Sequence, residues 1–226
     1  VIEINLSDVI QNNINAGSGF FVNSRTIITN YHVIKKNSEN IKIIPFTDQK
    51  EYKGKVVTCD KNNDLVAIEI EAYGSFNDAR ASNTFKHCNL SETSPDINSD
   101  VLAIGNPNNR PFSLSMGTLE KYLNIDLEKI NKDQIDSHYI QHDAEITHGS
   151  SGGPLYHKGW IIGVNTGGYN NKSIAINNIK LKKFLDNSEI INGTLYPWWV
   201  LSDLPSSWEL YNEDDTTSVT LDISKF

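Results

Sequence analysis

Short runs of β-branched and aromatic residues, each closed by Gly, Pro, Asn, Asp or Ser, recur along the chain and predict strands. Residues 1–16, VIEINLSDVIQNNINA, read as a lead-in, a helix or loop ahead of the first strand. GSGFFV (17–22) enters a strand, Asn23-Ser24 turns the chain, and Thr26 to Thr29 returns as the second strand of a hairpin. That strand runs on into Asn30-Tyr31-His32-Val33-Ile34. Ile41 to Ile44, Tyr52 to Val57 and Leu65 to Ile68 follow as short strands, the last directly behind a polar turn that carries Asp64. Residues 71–99 are polar and irregular and suit a crossing between two halves.

Val101 to Ile104 is a buried strand ending at the turn Gly105-Asn106-Pro107, and Ser113 to Leu119 is another. The charged, weakly periodic stretch 123–138 reads as an exposed loop with one helical turn. Tyr139 to Ala144 leads back to a glycine-rich turn, Gly159 to Gly168 reads as a hairpin of two strands, and Ser173 to Ile176 ends the series. Helical spacing is found at Ile179, Leu181, Phe184 and Leu185, which predicts an amphipathic helix closing the domain. No repeat of fixed period and no coiled-coil pattern is present. The fold class is therefore all-β, with a short C-terminal helix and an extra C-terminal tail.

Composition narrows the class without changing it. With 226 residues, 38% hydrophobic and 21% charged, the chain is globular in composition and can bury a real core. No apolar run approaches the ~20 residues that span a bilayer. A net charge of −8 argues against nucleic acid or an anionic membrane as the main partner. Cys59 and Cys88 are too few for a disulfide framework, which leaves one bridge or two buried thiols. The sequence starts at Val1 with no visible signal peptide, so a cytoplasmic location is expected, with a trimmed or processed start left open.

The candidate chemistry centres on HGSSGGPL (148–155). Small residues around one hydroxyl let the backbone turn tightly and let a second backbone approach. Such a turn can aim the N–H groups of Gly149 and Ser151 at one point beside the Ser151 hydroxyl, as acyl transfer requires. Serine–glycine clusters also make plain loops, so the reading needs a base and a carboxylate upstream. His32, at the end of a β-rich strand, suits a rigidly held general base, or is a structural histidine. Asp64, at the mouth of a buried strand, can orient an imidazole, or simply cap its turn.

Taken in order, GSGFFV…IITNYHVI, KVVTCDKNNDLVAIEI, VLAIGNP…SLSMGTLE, IQHDAEITHGSSGGPL and GWIIGVNTGG…SIAINNIK resemble the trypsin-like serine proteases, and within them the HtrA/Deg protease domain. The resemblance covers most of residues 17–185. It implies two packed antiparallel β-barrels with the active site between them, His32 and Asp64 on the first and Ser151 on the second. The implied domains are 1–186 (barrel one about 14–90, barrel two about 98–178, closing helix 179–186) and a Trp-rich acidic extension, 187–226. The sequence departs from trypsin-type zymogens in carrying Ser150 where they place an acid, so activation by an inserted N-terminus is not expected. No PDZ-like domain is expected in the forty or so residues after the helix.

The implied activity is serine endopeptidase cleavage of protein or peptide substrates, with Ser151 as nucleophile, His32 as base and Asp64 as its orienting carboxylate. Gly149 and Ser151 would form the oxyanion hole. Substrate would pair as an added strand against Val164, Asn165, Thr166 and Gly167, with His148 at the pocket rim. Glu145, six residues before the nucleophile, falls where trypsin-like members place the pocket base, and there it would favour Arg or Lys before the scissile bond; otherwise it faces solvent. Asn165 replaces the specificity histidine of glutamyl endopeptidases, which argues against a preference for Glu.

No cofactor is expected, and no metal, since His138, His142 and His148 lack ligand spacing. In the tail, Trp198, Trp199 and Trp208 precede Glu213-Asp214-Asp215 and read either as packing on a barrel or as a docking segment for a regulatory protein or downstream domain. The competing function class is a catalytically silent protease fold that binds peptides.

Overall fold

Alternation of side chains along each strand lets one strand serve two cores at once, and that is how this chain is organised. The computed structural model describes residues 2–6, 15–34, 41–47, 50–71, 85, 87–107, 112–123, 139–169, 171–188, 209–212 and 215–220. The first barrel holds β1 (Ile2–Leu6), β2 (Asn15–Phe21), β3 (Thr26–Asn30), β4 (Ile41–Pro45), β5 (Tyr52–Asp60) and β6 (Leu65–Ile70). Its order is β1-β2-β3-β6-β5-β4, all antiparallel, with β4 returning to β1. A single helical turn, α1 (Tyr31–Ile34), follows β3.

The second barrel holds β7 (Asp100–Gly105), β8 (Ser113–Leu123), β9 (Tyr139–His142), β10 (Pro154–His157), β11 (Trp160–Tyr169) and β12 (Lys172–Asn177). Its order is β10-β11-β12-β9-β8-β7, closed by β7 on β10. Helix α2 (Asn178–Asn187) starts where the Asn177 side chain accepts the Lys180 N–H at 3.0 Å, and it buries Leu181, Phe184 and Leu185. β13 (Glu209–Asn212) and β14 (Asp215–Thr220) form a separate hairpin.

Three apolar layers follow. Ile27, Val66 and Ile68 point into the first barrel with Phe21, Ile41 and Ile43. Their neighbours Ile28, Leu65 and Ala67 point the other way, into a seam shared with Leu102, Ile104, Ile161, Val164 and Ile176 of the second barrel. Val101, Ala103, Leu119, Ile140 and Leu155 fill the second barrel. The uninterrupted runs LVAI and VLAI are thus strands covered on both faces. On β5 one face is solvated, and buried and exposed residues alternate.

Several sequence expectations are corrected. Residues 2–6 are a barrel strand rather than a helical or loop lead-in, pairing with both β2 and β4, so the first barrel starts ahead of residue 14. Gly159 to Gly168 lies mostly in one strand, β11, whose partners are β10 and β12. Pro154–His157 forms a strand that the glycine-rich turn had hidden. Cys59 is exposed rather than buried, Cys88 is half-buried, and both are free thiols. The loop expected at 123–138 lies, beyond Leu123, outside the described residues, as do Trp198, Trp199, Trp208, Glu213 and Asp214.

Truncating Ile68, fully buried in the first barrel, to Ala should lower the unfolding free energy by about 2–5 kcal/mol, read by urea denaturation. Val57→Ser, at a position 51% exposed on β5, should stay within ~0.5 kcal/mol of the parent.

Candidate active site

The hairpin β2–β3 runs straight into α1, which presents His32 beside the turn between β5 and β6. Asp64 ends that turn at φ 54°, a left-handed conformation that Asp tolerates better than most residues with a Cβ. The strain is held by its surroundings: the Asp64 carbonyl accepts the Tyr31 N–H and an Asn30 side-chain N–H, each at 3.1 Å. Its carboxylate then faces α1. Oδ1 accepts the His32 backbone N–H at 2.8 Å, and Oδ2 lies 2.7 Å from His32 Nδ1. An acceptor at that distance favours the tautomer with the proton on Nδ1, which leaves Nε2 as the basic nitrogen.

Thr166, on β11 of the other barrel, completes the link. Its hydroxyl donates to Asp64 Oδ2 at 2.6 Å, and its carbonyl lies 3.4 Å from Ser151 Oγ, a long contact. Thr166 thus contacts both Asp64, the partner of His32, and Ser151 across the barrel seam. The sequence pattern marked Thr166 as a substrate-strand residue, and nothing in its local context signalled the contact with Asp64.

The turn before Ser151 is pinned on several sides. Ser150 N–H donates to Thr147 O at 3.0 Å, Gly153 N–H to Ser150 O at 3.0 Å, and Gly152 N–H to Asn165 O at 2.7 Å. Among the described residues, the N–H groups of Gly149 and Ser151 meet no hydrogen-bond acceptor. Gly149 has φ 99° and Gly152 φ 85°. At Gly152 a Cβ would lie 2.1 Å from Thr29 Oγ1 and 2.2 Å from Ser18 O, so glycine is required there twice over.

The residues expected to bind substrate divide. β10 accompanies β11 up to Val164, and Asn165 is bonded through its N–H to Gly153 O and through its carbonyl to Gly152 N. Val164 and Asn165 are fully buried, the Asn165 amide donating to Pro154 O. The expected pairing at these two positions is therefore corrected: their backbone is already occupied. From Thr166 onward β11 keeps β12 on one side, with no strand among the described residues on the other. His148 and Glu145 are both exposed.

Glu145 lines a cleft of about 730 Å³ with Asp143, Gly168, Lys172 and Ser173. Lys172 is committed to Glu120, Nζ to Oε1 at 2.5 Å, and that bond holds the Glu120 carboxyl below its ordinary range. Bonds from Thr118 do the same for Asp143. The cleft is acidic. Among the described residues, no group of three His, Cys, Asp or Glu is placed to hold a metal ion.

Comparison with known proteins gives the family and the fold. Residues 17–164 match the family model described as a trypsin-like peptidase domain. A probable periplasmic serine endoprotease, DegP-like, from Rickettsia prowazekii (strain Madrid E) is 33% identical over 179 residues, 73% of this chain and 31% of that protein. The serine endoprotease DegS of Escherichia coli (strain K12) is 32% identical over 152 residues, 66% of this chain and 39% of that protein. The chain thus spans about a third of the length of these relatives. The crystal structure of a serine endoprotease from Yersinia pestis shares the fold with TM-score 0.65 at 22% identity, over 84% of this chain and 62% of that one. The Mycobacterium tuberculosis Rv3671c protease in its active form does so with TM-score 0.67 at 17% identity, over 87% and 83%. The cytoplasmic location expected from the sequence is overturned, since similar proteins are named periplasmic or, in Arabidopsis thaliana, chloroplastic, which points outside the cytoplasm.

Behind the site, β9 carries a titratable group that sequence reading weighed only as a metal ligand. His142 is fully buried, with no well-formed hydrogen bond to either ring nitrogen. Burial pushes its pKa down from 6.5 to about 4, while the nearby Asn165 side chain and Ala144 backbone oppose the shift. The folded state keeps this imidazole neutral where the unfolded chain protonates it, so stability rises with pH across that window and is lost as pH falls from 6.5 towards 4. The expected loss is about 3 kcal/mol. His142→Gln should flatten the profile of unfolding free energy against pH between those limits.

Proposed function

The chain belongs to the trypsin-like peptidase family, in its HtrA/Deg group, and we propose that it is a serine endopeptidase acting on protein substrates through His32, Asp64 and Ser151. The observation that carries the reading is the chain of contacts from His32 Nδ1 to Asp64 Oδ2 to the Thr166 hydroxyl, whose own carbonyl approaches Ser151 Oγ. A serine hydroxyl is a poor nucleophile at neutral pH and needs a base to take its proton. His32 Nε2 is that base. It accepts the Ser151 proton as Oγ attacks the peptide carbonyl, then returns it to the leaving amine. Asp64, bonded from three sides, orients the ring and stabilises its cationic form. The N–H groups of Gly149 and Ser151 bind the oxyanion, and water then hydrolyses the acyl-enzyme by the same proton path.

Extended substrate would pair with the open edge of β11 from Thr166 onward. The acidic cleft that starts at Gly168 supports a preference for Arg or Lys before the scissile bond, with Glu145 and Asp143 as its anions. Residues 1–186 form the peptidase unit in this reading, and 187–226 an extension that packs on a barrel or docks a regulatory protein or downstream domain. Activity is therefore to be assayed with and without candidate partners.

Labelling by a fluorophosphonate at Ser151 tests the reading directly. No label under any condition, in a folded protein, would favour the silent peptide-binding module. Ser151→Ala should reduce peptidase turnover to background. Asp64→Asn should lower kcat by about 10⁴ with little change in stability. Glu145→Gln should reduce kcat/KM for Arg or Lys substrates, relative to Leu, by about tenfold, read from a peptide-library digest by mass spectrometry.

A further inference from the structure

β2 delivers one more side chain to the catalytic turn. Ser18 is fully buried, and each of its polar groups is bound. Its N–H donates to Ser151 O at 2.8 Å, and its carbonyl accepts the Thr29 hydroxyl at 2.7 Å. Its own hydroxyl lies 2.8 Å from Asn106 N and 2.7 Å from Gly149 O. Asn106 N–H can only donate, so Ser18 Oγ accepts there and must give its proton to Gly149 O. The direction of the bond is fixed by its surroundings.

That bond falls on the segment that joins Gly149 N–H to Ser151 N–H. The Ser18 hydroxyl holds the peptide plane between Gly149 and Ser150, and the Ser18 N–H holds the plane after Ser151. Ser151 N–H lies between the two clamps. Gly149 N–H belongs to the preceding peptide and is joined to the held carbonyl through the φ, 99°, and ψ of one residue, so the clamp limits the orientations it can take. A glycine released from such a clamp rotates more freely than any other residue. Gly149 is also buried, so its carbonyl would lose its partner away from solvent and would turn to find another.

We propose that Ser18 is a positioning residue for the oxyanion site: its hydroxyl, supplied by the first barrel, holds the Gly149–Ser150 peptide, which links the two donors Gly149 N–H and Ser151 N–H, in the orientation that turnover requires. The inference rests on the reading of Ser151 as nucleophile. It also makes the first barrel a determinant of the oxyanion geometry as well as the source of His32 and Asp64. The sequence carried a signal for it, a lone hydroxyl between Gly17 and Gly19 in an otherwise apolar strand entry, but nothing in the sequence says what that hydroxyl would meet.

The test compares the parent with Ser18→Ala on the full chain, with circular dichroism confirming that each is folded at the assay temperature. Ser18→Ala should lower kcat by about tenfold to a hundredfold, the size of a misplacement rather than a removal of one donor, with KM within about twofold. Affinity for a peptide boronate, which forms a tetrahedral adduct on Ser151, should fall by the same factor as kcat/KM. Ser18→Thr, which keeps the hydroxyl, should recover most of the loss. An unchanged kcat in folded Ser18→Ala, or a kcat loss without a matching loss of boronate affinity, would overturn the proposal.

A crystal structure of the unmodified protein carrying the boronate decides the case independently of how the variants fold. Ser18 Oγ should remain within ~3.2 Å of Gly149 O, and a Gly149 carbonyl turned away from Ser18 in that adduct sinks the idea. Failure of the parent itself to turn over or to take label would instead count against the peptidase reading, so the two failures are distinguishable.

Discussion

The structure depends on the seam between two closed barrels, where an apolar layer and a few buried hydrogen bonds must be satisfied together. Neither barrel carries the whole site. His32 and Asp64 sit at one end of the first, Ser151 and Thr166 on the second, and across the seam the Thr166 hydroxyl bonds Asp64 while its carbonyl lies 3.4 Å from Ser151 Oγ. The apolar contribution is large and undirected. Ile28, Leu65 and Ala67 pack against Leu102, Ile104 and Val164 across it. Direction comes from polar groups that cross the seam: Ser18 to Ser151 and Gly149, and Thr166 to Asp64. A buried donor or acceptor without its partner costs more than the made bond contributes, so these few contacts fix the register of the barrels sharply.

That constraint also accounts for the glycines around Ser151. Gly152 has room for neither a Cβ nor a different φ, because Thr29 and Ser18 of β2–β3 press directly on it. Gly153 is in a similar position: a Cβ there would lie 2.1 Å from Ile104 O. Gly152 serves close approach of the two barrels, and Gly153 close approach to β7 within the second. Strain is placed where the chemistry is, in Asp64 at φ 54°, and is held by bonds from Tyr31 and Asn30 on the preceding segment. His142 and Asn165 show the cost of the arrangement: both are buried, with ring nitrogens and an amide oxygen lacking well-formed partners.

The site was legible to different depths. The residue types were plain, because a hydroxyl among glycines, a histidine after a strand and an aspartate before one are local patterns. The role of Thr166 was not, since the contact between its hydroxyl and Asp64 spans 102 positions and leaves no mark in the sequence around either. The acidic cleft was half legible. Glu145 stood out by its distance from Ser151, whereas Asp143 and the neutralisation of Lys172 by Glu120 needed β8, β9 and β12 side by side. Val164 and Asn165 looked like a free edge, and only the pairing with β10 and the glycine turn showed them occupied.

The sequence by itself determined the strand-rich class, most strand positions, the closing helix and the types and order of the candidate catalytic groups. It did so because turn residues, apolar runs and helical spacing act over a few residues at a time. Tertiary structure alone decided that Ile2–Leu6 is a barrel strand, since those residues gain their place from β4, some forty positions away. It decided too that β11 is one strand with partners on both sides, and that a hydroxyl on β2 bonds the carbonyl of Gly149 in the glycine-rich turn. Barrel closure and seam packing are long-range conditions: each is met by residues that share no local pattern and meet only when the chain has folded.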